Sequence, residues 1–200
     1  MHKIFEKGRS MIEMLGVLAI IGVLSVGGIA GYSKAMEKFK INKLSHEYSD
    51  FIFSLIQYAP AFQKDLFNSQ SLRDVSQNLN IMPKTWTTSG AYFIDSYRNR
   101  SYMSWYKNSG LNIEIIMDNS PQKLCPELFQ SLIIPMHDVL RTSRLISMSH
   151  TSEYYYGDKI CDGKNKKCIR DLSPTTIAEM CRECSKYKRC NLVFFINPWL

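Results

Sequence analysis

The sequence predicts an α+β protein, in which a long N-terminal helix packs on an antiparallel β-sheet accompanied by short extra helices. An uncharged apolar run from Met14 to Tyr32 continues into a segment where apolar residues recur at helical spacing up to Ala59. Strand-like segments rich in aromatic and β-branched residues follow in the middle of the chain and near its end. Six cysteines all lie after the apolar run.

The apolar run from Met14 to Tyr32 has the length of a transmembrane helix. It contains no Asp, Glu, Lys or Arg, and at about 1.5 Å of rise per residue it spans roughly the 30 Å of a bilayer's hydrocarbon layer. Lys3, Lys7 and Arg9 precede it, which predicts a cytoplasmic N-terminus and a remainder of the chain outside the cytoplasm.

A short motif stands directly before this run. Gly8 ends a basic leader, and Glu13 is the fifth residue after it. A carboxylate at the edge of a bilayer costs free energy unless a cation compensates it. Gly8, Glu13 and the uninterrupted apolar helix together resemble the prepilin signature that type IV pilins share with the pseudopilins of type II secretion.

The resemblance implies a maturation and an assembly pathway. A prepilin peptidase of the inner membrane would cut after Gly8, removing the leader 1–8, and would methylate the new terminal amine of Arg9. Glu13 would compensate a terminal amine during subunit docking. The implied partners are other copies of this chain or other pilins, the peptidase, the inner-membrane assembly platform and membrane lipid. The implied locations are the bacterial inner membrane and then a filament in the periplasm or outside the cell.

One residue departs from the family pattern. The first mature residue is usually apolar in this family, whereas Arg9 brings a cation four residues before Glu13 on the same helical face. Two other interpretations of the stretch are weaker. A secretory signal peptide has a shorter apolar core and a small-residue cleavage site, and a simple membrane anchor does not explain Gly8 and Glu13 together.

Glycines within the apolar run suggest close helix packing. Gly27 and Gly31 form a G-x-x-x-G pair, which permits two helices to approach closely. The functional interpretation is packing of many copies in a filament core, and the alternative is a flexible membrane helix with small residues. The predicted organisation is a leader at 1–8, an N-terminal helix at 9–60 with its transmembrane part at 14–32, and an α+β head at 61–200.

The head is predicted to contain a short sheet. We expect Pro60 to end the long helix, with a resumption of helix from Ala61, and residues 67–88 to form an irregular connection. Asn108-Ser109-Gly110 is a hairpin signal, and the last strand is expected to pair with the edge of the sheet. Trp86, Trp105 and Tyr106 are interpreted as core rather than as an exposed binding surface. The expected strands are Ala91–Ile94, Ser101–Tyr106, Leu111–Met117 and Asn191–Ile196.

Two short helices are predicted in the second half. Pro126 suits the first turn of a helix near 127–133, which Pro135 would stop. Ser173 is expected to cap a later helix, with Ile177 and two cysteines on one of its faces.

The cysteines form an even set, which favours disulfides in an oxidising compartment. A zinc site is the competing interpretation, because two of them are spaced as C-x₂-C. A redox pair is weaker still, since it would fall well inside a helix rather than at its N-terminus. A faint resemblance to the heads of type IVb-like pilins implies that the first cysteine bridges to the segment holding the last three, and that the second and third form a local clip. The six are Cys125, Cys161, Cys168, Cys181, Cys184 and Cys190.

A basic segment with neighbouring aromatic residues lies between Arg141 and Arg170. It contains three consecutive tyrosines, Tyr154 to Tyr156, and the run Lys164, Lys166 and Lys167. Such a composition allows weak DNA contact, although a solvated variable loop is the interpretation that the sequence favours. The net charge of +7 does not decide between them.

No enzymatic function is predicted. The histidines His46, His137 and His150 are far apart in sequence and away from acidic clusters, and no nucleophile elbow, phosphate loop or cofactor motif is evident. The sequence therefore predicts a structural subunit of a type IV pilus or related filament. The alternatives are a type II secretion pseudopilin and a monomeric membrane-anchored protein that binds DNA or another ligand.

Overall fold

A computed structural model describes residues 11–66, 70–119, 121–147, 152–187 and 189–199. The side chains of residues 11–13, 23–27 and 30 lie outside that description. By its internal contacts, the chain divides into two compact units, Met1–Lys40 and Ile41–Leu200.

The first helix, α1, extends over Met11–Gln57. It contains no proline, so its backbone hydrogen-bond ladder has no forced interruption. Among the residues that the structure describes, no helix is both long enough and apolar enough to cross a membrane.

From Ile41 onward, α1 forms one wall of the core of the second unit. Its buried side chains recur every three or four residues, as the sequence predicts, and include Leu44, Tyr48, Phe51, Ile52 and Leu55. Helix α2, at Ala59–Asp65, follows almost directly. Pro60 therefore lies in the first turn of α2, where its missing N–H leaves no bond unmade, and α1 ends before it.

An antiparallel sheet forms the other wall, which confirms the α+β class. The three predicted central strands are observed, and the hairpin at Asn108 and Gly110 uses positive φ angles of 65° and 98°. The last strand pairs with the edge strand of this hairpin, as predicted, and places Ile113 opposite Phe194. The first five strands are β1 (Gln70–Ser71), β2 (Thr87–Ser89), β3 (Tyr92–Ile94), β4 (Arg100–Tyr106) and β5 (Gly110–Met117).

The sheet is wider than the sequence suggests. Its order in the described residues is β2-β3-β4-β5-β8-β6-β7, and β1 pairs with β4. Strand β6 lies within the segment for which a solvated loop was expected, and that expectation is wrong there. The reason is a bulge between Leu140 and Thr142, which breaks the alternation of apolar residues along the strand. The added strands are β6 (Leu140–Ser147), β7 (Tyr155–Tyr156) and β8 (Cys190–Ile196).

Two other local expectations are corrected. Helix α3 (Arg73–Asn78) and strand β1 interrupt the connection at 67–88, which was expected to be irregular. Helix α4 occupies Pro121–Leu128, so Pro126 lies inside it rather than in its first turn. The helix continues beyond Leu128 as a wider π-turn at Phe129–Ile133, where the N–H of Ile134 donates to the carbonyl of Phe129 at 2.9 Å.

The last helix, α5, extends over Pro174–Ser185 and follows a short 3₁₀ turn at Ile169–Asp171. Ser173 caps it as predicted, because its Oγ accepts a hydrogen bond of 3.1 Å from the backbone N–H of Thr176. Ile177, Cys181 and Cys184 are all buried on one face, which fixes α5 against the rest of the second unit.

Candidate assembly surface

The first unit has a large exposed apolar surface. Consecutive helical residues are about 100° apart, so the apolar side chains between Met14 and Ile21 surround the helix. A helix that is apolar on all sides is normally buried in a protein core or in lipid. The exposed fractions lie between 53% and 70% for Met14, Leu15, Val17, Leu18, Ile20, Ile21, Ile29 and Tyr32.

Four glycines of this helix have no neighbour from elsewhere in the described chain. A Cβ added at Gly16, Gly22, Gly28 or Gly31 would meet no atom within 4 Å. Glycine in a helix interior costs up to about 1 kcal/mol relative to alanine. Glycine at these four positions is thus destabilising, without a compensating contact in the described chain.

Part of the predicted prepilin motif lies outside the described residues. Gly8 and Arg9 are not described at all, and neither is the side chain of Glu13. Only the backbone of Glu13 and Gly27 is placed, within α1. The proposed cleavage and docking chemistry therefore stays a prediction.

In the second unit, α1 is tied to the head by the carboxylate of Glu47. Its Oε2 accepts a hydrogen bond of 2.9 Å from the indole N–H of Trp86 and a longer one of 3.5 Å from Ser96. Its Oε1 accepts from the hydroxyl of Thr85 at 3.0 Å. One helical side chain thus fixes two separate loops beside the sheet.

The buried carboxylate of Asp95 provides a second anchor for α1. It binds Tyr48, the residue that follows Glu47 on the helix. Its Oδ1 accepts from the backbone N–H groups of Tyr97 and Asn99, at 2.8 and 2.9 Å. Its Oδ2 accepts from the side-chain amide of Asn99 and from the hydroxyl of Tyr48, each at 3.1 Å. Burial raises the pKa of Asp95 above its ordinary value, although these hydrogen bonds oppose the shift. Burial, with the nearby Asp95, raises the pKa of Tyr48 well above 10.0.

All six cysteines are paired in three disulfides. Cys125 pairs with Cys181, joining α4 to α5 across 56 residues. Cys161 pairs with Cys168, and Cys184 pairs with Cys190 at the start of β8. This pattern agrees with the pairing implied by the faint resemblance to type IVb-like heads. The six sulfurs are therefore not available as thiolate ligands for zinc.

The predicted basic segment forms an ordered surface around Tyr154 and Tyr156. Lys167 forms an ion pair with Glu153, and this contact raises the pKa of the lysine. Lys164 and Lys166 are exposed in the loop closed by the Cys161–Cys168 disulfide. The three lysines grouped by the sequence are thus not equivalent, because among them only Lys167 forms an ion pair within the described residues.

One histidine, His137, lies beside a single acidic residue. Nδ1 of His137 is 3.0 Å from Oδ2 of Asp158, which also lies 3.4 Å from a guanidinium nitrogen of Arg170. Strand β7 brings this segment next to the start of β6, a proximity that no sequence spacing indicates. His46 is exposed on α1, and His150 lies outside the described residues.

Two of the three tryptophans are core residues, as interpreted from the sequence, whereas Trp199 is 49% exposed. Trp86 and Trp105 are buried, whereas Tyr106 is partly exposed.

Comparison of the chain with protein-family models, with curated protein sequences and with solved structures finds no match. The function must therefore be argued from the residues and their geometry.

Proposed function

We propose that this chain is a structural subunit of a type IV pilus or of a related filament. The segment Met14–Tyr32 inserts into the inner membrane, and a prepilin peptidase removes the leader 1–8. The matured subunits then polymerise through their N-terminal helices, while the disulfide-containing head forms the filament surface.

The observation that carries the proposal is the apolar surface of α1, exposed on all sides between Met14 and Ile21. Lipid would cover this surface before assembly, and neighbouring helices would cover it afterwards. Glycines without a packing partner in the described chain, such as Gly31, fit packing against neighbouring helices because they permit close approach.

The head supports the same location. Disulfides persist in oxidising compartments such as the periplasm or the cell exterior, and the described head contains three of them. Lys3, Lys7 and Arg9 before the apolar run favour a cytoplasmic N-terminus, which leaves the head on the opposite side of the membrane.

The decisive experiment is an intact-mass and N-terminal peptide analysis of the full chain expressed in membranes with and without a prepilin peptidase. We expect a product that begins at Arg9, with or without a methyl group, only when the peptidase is present. A chain that still begins at Met1 beside a competent peptidase would contradict the proposal and would favour a monomeric membrane-anchored protein.

The second candidate of the same class is a type II secretion pseudopilin. The motif around Gly8 and Glu13 is shared by both groups, and the exposed surface of α1 fits both. Co-expression with the assembly platform of each system distinguishes them, because only the cognate machine should incorporate the chain into a filament.

A further inference from the structure

Four side chains form a row at the outer edge of the sheet: Arg144 on β6, Tyr154 just before β7, Tyr156 on β7, and Lys166 on the loop that follows. The guanidinium carbon of Arg144 lies 4.5 Å from the centroid of the Tyr154 ring. The rings of Tyr154 and Tyr156 are 6.2 Å apart and tilted by 34°. The ammonium nitrogen of Lys166 lies 5.8 Å from the centroid of the Tyr156 ring. We call this arrangement of cation, ring, ring and cation the tyrosine row.

The local backbone presents both rings on the same side. Side chains alternate between the two faces of an extended strand, and Tyr155, between the two rings, is buried in the core cluster. Tyr154 is 43% exposed, and Tyr156 is partly exposed at its pairing position with Thr142 of β6. The sheet therefore holds the two rings side by side at the surface.

The loop that carries Lys166 is preorganised. The Cys161–Cys168 disulfide closes it, and Oδ1 of Asp162 accepts hydrogen bonds of 2.8 Å from the backbone N–H groups of Lys164, Asn165 and Lys166. These bonds, chiefly the one from Lys166, lower the pKa of Asp162. The carboxylate of Asp162 thus holds the backbone of the loop in one conformation. The loop therefore loses less conformational entropy when a ligand binds.

The charges of the row are open to an anionic partner. Among the described residues, neither Arg144 nor Lys166 forms an ion pair, although the carboxylate of Asp162 interacts with the charge of Lys166, whereas Lys167 forms an ion pair with Glu153. The segment 141–171 contains seven Lys or Arg residues and four Asp or Glu residues. An anion approaching the row therefore meets a positive surface.

We propose that the tyrosine row binds single-stranded nucleic acid. Adjacent exposed rings provide a stacking surface for successive bases, and flanking cations contact the phosphates. The bases of a duplex are stacked inside it, so a duplex could contact only the cations of the row, through its phosphates. An acidic protein segment would also use the cations alone. The paired rings between the cations favour the single strand, and this activity is separate from filament assembly.

The test uses the full-length chain in detergent micelles with a fluorescein-labelled oligothymidylate of 20 nucleotides, measured by fluorescence anisotropy over a salt series. Tyr154→Leu should weaken binding by about tenfold at constant salt slope, because a stacking partner is lost. Lys166→Gln should reduce the slope of log K against log[salt] by about 0.7, the value for one phosphate contact on a single strand.

Matched variants control for general effects. Tyr187→Leu removes another exposed tyrosine ring, and Lys84→Gln removes an exposed lysine that precedes β2, at the opposite edge of the sheet. Neither should change binding to the extent of its counterpart in the row. Glu153→Gln should strengthen binding, because it releases Lys167 from its ion pair, and a gain cannot result from misfolding.

Four results would overturn the proposal. Equal effects of Tyr154→Leu and Tyr187→Leu would show that the row is not the binding site. Equal affinity for a 20-base-pair duplex, or equally effective competition by anionic lipid vesicles, would show that the surface attracts polyanions without recognising bases. Absence of binding at low salt would exclude the activity altogether.

Discussion

The hydroxyl of Tyr48 on α1 donates a hydrogen bond of 3.1 Å to Oδ2 of Asp95, which follows strand β3. Both residues are buried, and 47 positions separate them in the chain. Because a buried polar group without a partner is costly, the two side chains fix one rotational setting of α1 on the sheet. Glu47, the preceding residue, reinforces that setting through Trp86.

Tyr48→Phe tests this anchor directly. The change removes one donor from Asp95, which keeps its three bonds from Tyr97 and Asn99. We expect the unfolding free energy of the head to fall by about 1–3 kcal/mol, measured by urea unfolding of the full chain in detergent micelles. Tyr58→Phe, at a partly exposed ring, is the control and should have almost no effect. Equal losses for both variants would refute the anchor.

Asp95 also predicts a pH dependence of stability. Because burial raises its pKa in the folded state, the folded protein holds this proton more tightly than the unfolded chain does. The contribution of Asp95 is therefore greatest below the ordinary pKa of 3.8. It declines as the pH rises through the raised value, and is constant above it.

Comparison with Asp95→Asn isolates this contribution from those of other carboxyl groups. The difference in unfolding free energy between the wild type and Asp95→Asn should decrease as the pH rises from about 3 through the raised pKa. Asp74→Asn, at an exposed carboxylate paired with Arg73, is the matched control. A difference that grows with pH would mean that hydrogen bonding outweighs burial at Asp95.

The sequence predicts those features that depend on neighbouring residues. Apolar spacing along α1, the turn at Asn108 to Gly110, and the cap at Ser173 each follow from a local pattern, and each is observed. Glu47 and Asp95 gave no such signal, because their hydrogen-bond partners on other elements lie 38 to 49 residues away in the chain.

Departures from regular helix and strand geometry explain other places where the structure differs from the sequence-based prediction. The bulge near Arg141 interrupts the alternation that would have indicated β6, and α4 contains Pro126 although proline is disfavoured inside a helix. The tyrosine row could be suspected from Tyr154, Tyr156 and the lysines. The sequence gives no signal for Arg144, because Arg144 lies on β6 and comes close to Tyr154 only through the pairing of β6 with β7.

The disulfides should contribute unequally to stability. In the chain-entropy model a disulfide stabilises more when it closes a longer loop, and Cys125–Cys181 spans 56 residues against 7 for Cys161–Cys168. Replacing the first pair by serine should cost about 4 kcal/mol of unfolding free energy, and replacing the second about 2 kcal/mol. Chemical unfolding of both variants under non-reducing conditions measures the two losses, and the reverse order would contradict the entropic explanation.

Glu13 provides the most specific prediction about assembly. If its carboxylate compensates a terminal amine of a neighbouring subunit, Glu13→Gln should abolish filaments while leaving membrane insertion intact, because the change removes the charge and keeps the size of the side chain. Glu13→Asp keeps the charge and should retain part of the yield. The readouts are sheared-filament yield and the membrane-fraction level of the chain.

Arg9→Phe tests the remaining alternative, in which Arg9 and Glu13 pair within one helix and so satisfy the carboxylate. In that case, removing the arginine should increase the dependence of assembly on Glu13. Normal filament yield from Glu13→Gln, in the presence or absence of Arg9, would show that charge at this position does not guide docking.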